Sequence, residues 1–136
     1  STALCRPAAG GCDVAETCDG LGDDCPADSV VGAFVECRPA ADACDVAETC
    51  DGTRDDCPAD GLAPSTLVCR PSAGVCDVAE SCTGASPDCP ADAKSTAVCR
   101  AAAGVCDVAE TCSGSSNTCP PDTFVSGATI CRARFR

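Results

Sequence analysis

The sequence contains no histidine, tryptophan, tyrosine or methionine, and phenylalanine occurs only three times. Without histidine, the Ser-His and Cys-His nucleophile systems are excluded. With so few aromatic residues a conventional hydrophobic core is not expected, because the apolar residues are mostly Ala, Val and Cys. There is no apolar run long enough to cross a membrane. There is also no C-x-x-C pair, which argues against thioredoxin chemistry, c-type haem and most zinc knuckles.

Basic residues are also scarce. The chain has 9 Lys and Arg against 21 Asp and Glu, which gives a formal net charge of −12. It offers no basic patch that could neutralise phosphates, so nucleic acid is excluded as a partner. The chemistry of the chain must therefore come from its carboxylates and its cysteines.

Cysteine is the abundant residue, with 17 in 136 residues. This content is typical of a disulfide scaffold, which secreted domains use when they cannot bury enough apolar surface. A bridge that closes a loop of about 20 residues contributes about 3 kcal/mol by restricting the unfolded chain. We therefore predict an extracellular or cell-surface protein that disulfides stabilise and that reduction unfolds.

The cysteines belong to one motif that is written four times: C-R-x-x-x-x-x-C-D-V-A-E-x-C-x-G-x-x-x-x-C-P-x-D. A repeat this regular indicates a structural unit. We predict a small disulfide-rich, mostly irregular fold, an elongated tandem-repeat array with short turns and minimal helix and strand. Its parts are a connector (1–4), four repeats (5–36, 37–68, 69–98 and 99–130) and the start of a truncated fifth repeat (131–136).

Local structure is expected to be sparse, because no segment keeps the period of a long helix or strand. The Asp-Val-Ala-Glu segment is predicted to form one helical turn, and short β-bridges are predicted near the connectors. The glycine two residues after each third cysteine predicts a turn with positive φ. These glycines are Gly20, Gly52, Gly84 and Gly114.

Twelve of the 21 acidic residues recur at the same three positions of every repeat. Clustered carboxylates repel one another unless a cation lies between them, and calcium takes six to eight oxygen ligands in irregular loops. Asp-x-x-Glu is equally an arrangement that caps backbone N–H groups, although this leaves the Asp after Cys-Pro unexplained. Both interpretations stay open at this point.

The motif C-R-P-x(4)-C-D-V-A-E-x-C-x-G-x(4)-C-P-x-D resembles the C-terminal half of the disintegrin domains of snake-venom metalloproteinases and ADAM proteins, and tandem copies resemble disintegrin-like repeats of bacterial surface and secreted proteins. The resemblance implies a structural calcium ion in each repeat. Its ligands would be the three carboxylates and two main-chain carbonyls. The implied ligands are Asp13, Val14, Glu16, Asp28 and Ser29; Asp45, Val46, Glu48, Asp60 and Gly61; Asp77, Val78, Glu80, Asp92 and Ala93; and Asp107, Val108, Glu110, Asp122 and Thr123.

The resemblance also implies that the first cysteine of each repeat pairs with the fourth. The implied bridges are Cys5–Cys25, Cys37–Cys57, Cys69–Cys89 and Cys99–Cys119. The second and third cysteines then pair either locally or with neighbouring repeats. Because 17 is odd, one cysteine is left over, and Cys131 is the candidate since its repeat has no further cysteines.

Three functions follow as hypotheses. The first is a non-enzymatic structural subunit of an extracellular filament, stalk or surface appendage that assembles with itself head to tail, because neither end of the chain has the polar cap of a closed repeat array. The second is a secreted or cell-surface adhesion module that presents the loops at 6–11, 38–43, 70–75 and 100–105. The third is a protease inhibitor, for which no distinctive loop is evident. The chain has no Arg-Gly-Asp, which argues against an integrin ligand.

Overall fold

The computed structural model describes residues 3–127. They form two compact units. The first unit runs to Pro64 and also includes Thr83–Asp88. The second unit consists of Ser65–Cys82 and the chain from Cys89 onward.

Short antiparallel strand pairs are the regular structure of both units. Residues 3–127 contain ten strands of two or three residues and no helix. The strands are β1 (Leu4–Arg6), β2 (Glu16–Thr17), β3 (Glu36–Arg38), β4 (Asp45–Val46), β5 (Glu48–Thr49), β6 (Gly61–Leu62), β7 (Val68–Arg70), β8 (Glu80–Ser81), β9 (Val98–Arg100) and β10 (Glu110–Thr111). They pair as β1–β2, β3–β5, β4–β6, β7–β8 and β9–β10. The predicted small, disulfide-rich fold with little regular structure is confirmed.

The same pairing recurs in every repeat and sets the position of one arginine. In the first repeat Leu4 pairs with Thr17 and Arg6 with Glu16, with a bulge between the two pairs. The equivalent arginine and glutamate face each other in β3–β5, β7–β8 and β9–β10. Because opposite residues of an antiparallel pair are in contact, every repeat brings its C-R arginine next to its D-V-A-E glutamate.

The predicted helical turn at Asp-Val-Ala-Glu is wrong, because this segment is extended. Asp13 forms a β-bridge with Val30, and the N–H of Val14 donates to the carbonyl of Ser29 at 3.1 Å. In the second repeat the equivalent residues form β4, which pairs with β6. The segment therefore lies between two extended neighbours that take its backbone hydrogen bonds, and this pairing overrides its local preference.

The predicted turns are confirmed, since Gly20, Gly52, Gly84 and Gly114 have φ of 78°, 78°, 74° and 78°. Side chains other than glycine are disfavoured in this region. The turns carry the chain from each third cysteine toward the fourth.

Disulfides take the place of an aliphatic core. Among residues 3–127, the buried apolar side chains are six cysteines and Ala63. The large apolar side chains lie outside, and Leu21 and Phe34 are about nine-tenths exposed, at 91% and 89%. The stability of each unit therefore depends on covalent links more than on buried apolar area.

Candidate functional site: repeat junctions and carboxylate clusters

One set of disulfides closes each repeat on itself. The structure joins Cys5 to Cys25, Cys37 to Cys57, Cys69 to Cys89 and Cys99 to Cys119. Each bridge spans 20 residues and joins the first cysteine of a repeat to the fourth, the pairing that the family resemblance implied.

A second set joins consecutive repeats. Cys12 is bonded to Cys50 across 38 residues, and Cys76 to Cys112 across 36 residues. Both bridges run from the second cysteine of one repeat to the third cysteine of the next. We call the contact between two consecutive repeats that such a bridge joins a junction. Of the two pairings that the sequence left open, these four cysteines adopt the one between neighbours.

The remaining described cysteines fall into two groups. Cys44, Cys82 and Cys106 are also disulfide-bonded. Within residues 3–127, Cys18 is the free cysteine and is partly exposed. Cys131, the candidate odd cysteine of the sequence analysis, lies outside the described residues.

A hydrogen bond accompanies each junction bridge. The N–H of Cys12 donates to the carbonyl of Asp55 at 2.7 Å, and that of Cys76 to the carbonyl of Asn117 at 3.1 Å. The N–H of Cys44 likewise donates to Pro87 at 2.8 Å. Each acceptor lies five residues after the third cysteine of the following repeat. The backbones are so close that a Cβ at Gly10 would overlap the carbonyl oxygen of Asp55.

The first carboxylate of each predicted metal set stabilises a turn. Asp13 Oδ2 accepts the N–H of Ala9 at 2.6 Å, and its Oδ1 accepts the N–H of Val14 at 2.8 Å. Asp45 and Asp107 make the same pair of bonds. This is the capping role that the sequence analysis kept as an alternative to metal binding.

The glutamate of each set is buried and fully engaged. Glu16 Oε1 accepts the N–H of Ser29 at 2.9 Å and Oε2 accepts from Arg6 Nη1 at 3.0 Å. Burial alone would raise the pKa of Glu16, but hydrogen bonds from Ser29 and Arg6 lower it below its usual value. The hydroxyl and N–H of Thr123 lower the pKa of Glu110 in the same way. Both residues are thus held as carboxylates inside the repeat.

The arginine after each first cysteine is the residue that sequence reasoning missed. Arg6 Nη1 lies 3.0 Å from both Glu16 Oε2 and Asp28 Oδ1, so one guanidinium bridges two of the predicted ligands. The equivalents of this bridge are Arg38 with Glu48 and Asp60, and Arg100 with Glu110 and Asp122. Arg70 contacts Glu80 but donates to the carbonyl of Pro90 instead of to Asp92. The signal was the C-R dipeptide in all four copies.

The implied carbonyl ligands have partners of their own. The carbonyls of Ser29, Ala93 and Thr123 accept the N–H groups of Val14, Val78 and Val108 at 3.1 to 3.2 Å. Gly61 pairs with Val46 in β4–β6. A carbonyl oxygen has a second lone pair, so these contacts leave capacity for a further ligand.

One carboxylate cluster lies at the first junction. Asp13, Asp28 and Asp55 each have an oxygen within 4.8 Å of the others. Asp13 and Asp28 belong to the predicted set, whereas Asp55 comes from the following repeat. Burial, followed by the charges of Asp13, Asp28 and Asp56, raises the pKa of Asp55. Arg6 supplies a positive charge at Asp28, whereas the causes that act on the pKa of Asp55 are burial and neighbouring carboxylates alone.

The third repeat provides the positive charge itself. Lys94 Nζ lies 2.7 Å from both Asp77 Oδ1 and Asp92 Oδ2, and its side chain is 15% exposed. Its hydrogen bond lowers the pKa of Asp77, while Asp77 and Asp92 raise the pKa of Lys94. Lys94 pairs with Asp77 as Val30 pairs with Asp13. The ammonium thus binds the carboxylates that correspond to Asp13 and Asp28.

Cysteine sulfurs also cluster, with the three sulfurs of a cluster lying within 4.8 Å of one another. Two such clusters are Cys12, Cys37 and Cys57, and Cys76, Cys99 and Cys112. These sulfurs belong to disulfides, and metal ligation by cysteine requires a thiolate. We therefore assign them to the disulfide core of the junctions. The group formed by Asp13, Asp28 and Asp55, by contrast, offers carboxylate oxygens as donors.

The described residues enclose no pocket, and none of them forms a helix able to cross a membrane. No family model matches the chain, and comparisons with curated proteins and with solved structures gave no match either. The resemblance to disintegrin domains therefore depends on the cysteine, acid and glycine pattern alone.

Proposed function

We propose that the chain is a non-enzymatic structural segment of an extracellular filament, stalk or surface appendage that assembles with further copies of itself. The observation that carries this proposal is the junction, in which a covalent bond and a main-chain hydrogen bond connect consecutive repeats. A chain cross-linked both within and between its repeats resists unfolding and proteolysis without a large core. The absence of a pocket in residues 3–127 is compatible with this role.

Calcium is the second part of the proposal. Asp13, Asp28 and Asp55 supply only oxygen donors, which suits a hard cation. Lys94 supports the fit, because its ammonium binds the equivalent carboxylates of the third repeat. We place the ion on the carboxylates of the first junction. There it would offset both the burial and, after it, the repulsion from neighbouring carboxylates that raise the pKa of Asp55. The third repeat needs no ion, since Lys94 supplies the charge.

This assignment differs from the ligand set that the resemblance implies. Glu16 is engaged by Ser29 and Arg6, and Asp55 takes the third carboxylate position instead. The ion would therefore connect two repeats, because Asp13 and Asp28 belong to the first repeat and Asp55 to the second. Its contribution would be to fix the junction next to the Cys12–Cys50 bridge.

The calcium part is tested by calorimetric melting with calcium and with a chelator. We expect calcium to raise the melting temperature of the unaltered chain. Asp55→Asn should melt at a higher temperature than the unaltered chain in chelator, since it removes a repelled carboxylate, and should lose most of the calcium effect. Asp23→Asn, at the same position of the first repeat, is the matched control. An equal calcium effect in both variants would disprove the assignment.

The assembly part is tested by negative-stain electron microscopy of unreduced protein in calcium. Regular filaments would support self-assembly. Dispersed particles over a wide range of protein concentration would contradict it and favour the adhesion module. The two tests are independent, because calcium can stabilise a junction whether or not chains associate.

A further inference from the structure

We propose that Cys18 and the main-chain carbonyl of Asp23 form a receiving site for another repeat of the same motif. The incoming repeat would form a disulfide to Cys18 with its second cysteine and donate that cysteine's N–H to the Asp23 carbonyl. The proposal uses only the disulfide and hydrogen-bond pattern, so it does not depend on calcium binding.

The two complete junctions define what a receiving site contains. Cys12 is held twice by the following repeat, through its sulfur by Cys50 and through its N–H by the carbonyl of Asp55. Cys76 is held in the same way by Cys112 and Asn117. A receiving site therefore consists of a third cysteine and the carbonyl of the residue five positions later.

The first repeat has the same elements in the same local structure. The N–H of Cys18 donates to the Ala3 carbonyl at 2.8 Å, as that of Cys50 donates to Val35 at 2.8 Å. Gly20, between Cys18 and Asp23, has φ of 78°, the value found at Gly52. β1 and β2 also pair in the register of β3 and β5. The backbone that presents a receiving site is thus already formed.

Both contact atoms of this site lack a partner within residues 3–127. Cys18 is a free thiol, and no described N–H donates to the Asp23 carbonyl. Cys18 is partly exposed, whereas Cys50 and Cys112 are only 2% and 5% exposed. The third cysteines that are bonded to the preceding repeat are therefore buried, and Cys18 has the exposure that such a bond would remove.

The junctions also indicate the sequence of the occupant. A Cβ at Gly10 would overlap the Asp55 carbonyl, and one at Gly74 would overlap the Asn117 carbonyl. Each of these glycines lies two residues before the incoming cysteine. A Gly-x-Cys segment fits this close approach. Since Cys44 makes the same hydrogen bond with Asp42 two residues before it, we infer the second cysteine of a complete repeat as the occupant, with or without that glycine. A disulfide between two copies of Cys18 would leave both Asp23 carbonyls without a donor.

The bond forms by thiol–disulfide exchange. With oxidised glutathione as the oxidant, the incoming cysteine first becomes a mixed disulfide with glutathione. The Cys18 thiolate then attacks the cysteine sulfur of this mixed disulfide, and glutathione leaves as its thiolate. The net reaction converts two protein thiols and one oxidised glutathione into one protein disulfide and two reduced glutathione molecules.

The test is an extended chain in which a copy of residues 69–98, whose sequence differs from that of the first repeat, directly precedes Cys5. It is refolded in a glutathione redox buffer with chelator, alkylated without reduction and mapped by mass spectrometry. We expect Cys18 to be bonded to the second cysteine of the added repeat. The alkylated thiol should move to the third cysteine of the added repeat. In the original chain, Cys18 should carry the alkyl group.

Two variants keep the test decisive. Cys18→Ser in the extended chain should leave the second cysteine of the added repeat open to alkylation. A second extended chain carries a copy of residues 99–130 instead, which covers misfolding of the first added copy. The proposal is overturned if Cys18 is still alkylated in both extended chains. It is also overturned if the second cysteine of the added repeat has the same partner in the extended chain and in its Cys18→Ser variant.

Discussion

Removing the junction bridge between Cys12 and Cys50 should destabilise the first unit by about 3.6 kcal/mol. The bridge spans 38 residues of chain. Cys5–Cys25 and Cys37–Cys57 remain in place and shorten the path between the two sulfurs, so the loop that opens has about 28 residues, for which loop-closure entropy gives this value. Alanine is the appropriate replacement, because Cys12 and Cys50 are 0% and 2% exposed and a buried hydroxyl would add its own cost.

Pulse proteolysis in urea is the suitable assay, since the chain lacks tryptophan and tyrosine and gives little intrinsic fluorescence. Samples are kept unreduced during cleavage and reduced only for electrophoresis, so that cut fragments separate. For urea slopes of about 1–3 kcal/mol per molar, the midpoint should fall by about 1–4 M. Cys18→Ala is the matched control, because it removes a cysteine without opening a bridge.

The contrast between the two variants decides the outcome. Cys18→Ala should stay within about 0.5 kcal/mol of the unaltered chain. If the midpoint of the Cys12→Ala, Cys50→Ala double variant falls no further than that of Cys18→Ala, the junction bridge contributes nothing measurable. The structural role assigned to the junction would then be refuted, whatever filaments the protein forms.

Three further results are expected. Gly10→Ala should lower the free energy of unfolding by about 1–3 kcal/mol in the same assay, because its new Cβ overlaps the backbone of the next repeat. Gly104→Ala should leave the free energy of unfolding unchanged, since no atom lies within 4 Å of its Cβ. Lys94→Val should lower the calorimetric melting temperature in chelator, because two carboxylates lose the ammonium that binds them. Calcium should restore the melting temperature of this variant. No recovery in calcium would contradict the proposal that Lys94 replaces a calcium ion. The interactions that lower the pKa of Glu110 stabilise the fold above the unfolded-state pKa, and this contribution is lost as the pH falls through the folded-state pKa. At pH values below about 4.5 the melting temperature should therefore decrease, and it should decrease less in Glu110→Gln. Equal acid sensitivity of the two proteins would contradict this role of Glu110.

Part of this structure could be predicted from residue spacing. The glycines after each third cysteine require positive φ, a local property that the motif itself shows. The scarcity of large apolar side chains likewise indicated that disulfides, and not a conventional hydrophobic core, would stabilise the chain. Such features depend on single residues or on composition, and they do not require knowledge of which segments meet.

The rest depends on contacts between segments. The role of Arg6 becomes clear only once Asp-Val-Ala-Glu is known to be extended, since a helical turn would not place Glu16 opposite Arg6. Similarly, nothing in the spacing of the second and third cysteines distinguishes local pairing from pairing with a neighbour. Asp55 joins Asp13 and Asp28 because the junction brings the second repeat against the first. Carboxylates were therefore easier to identify as candidates than to group into sites.

The junction bridges also determine how much of the chain a pulling force can extend. Cys12 and Cys50 are separated by 38 residues, or roughly 130 Å of extended backbone, yet their Cα atoms lie 5.6 Å apart. While the bridge is intact, Cys12 and Cys50 cannot move apart. Tension passes through their sulfur–sulfur bond and, in parallel, through the two flanking bridges and the backbone of residues 25–37, so the full 38-residue segment is not extended. The contour length of the protein under load then depends on the redox state of its surroundings, because a reductant that opens the bridge allows the residues between the two cysteines to extend.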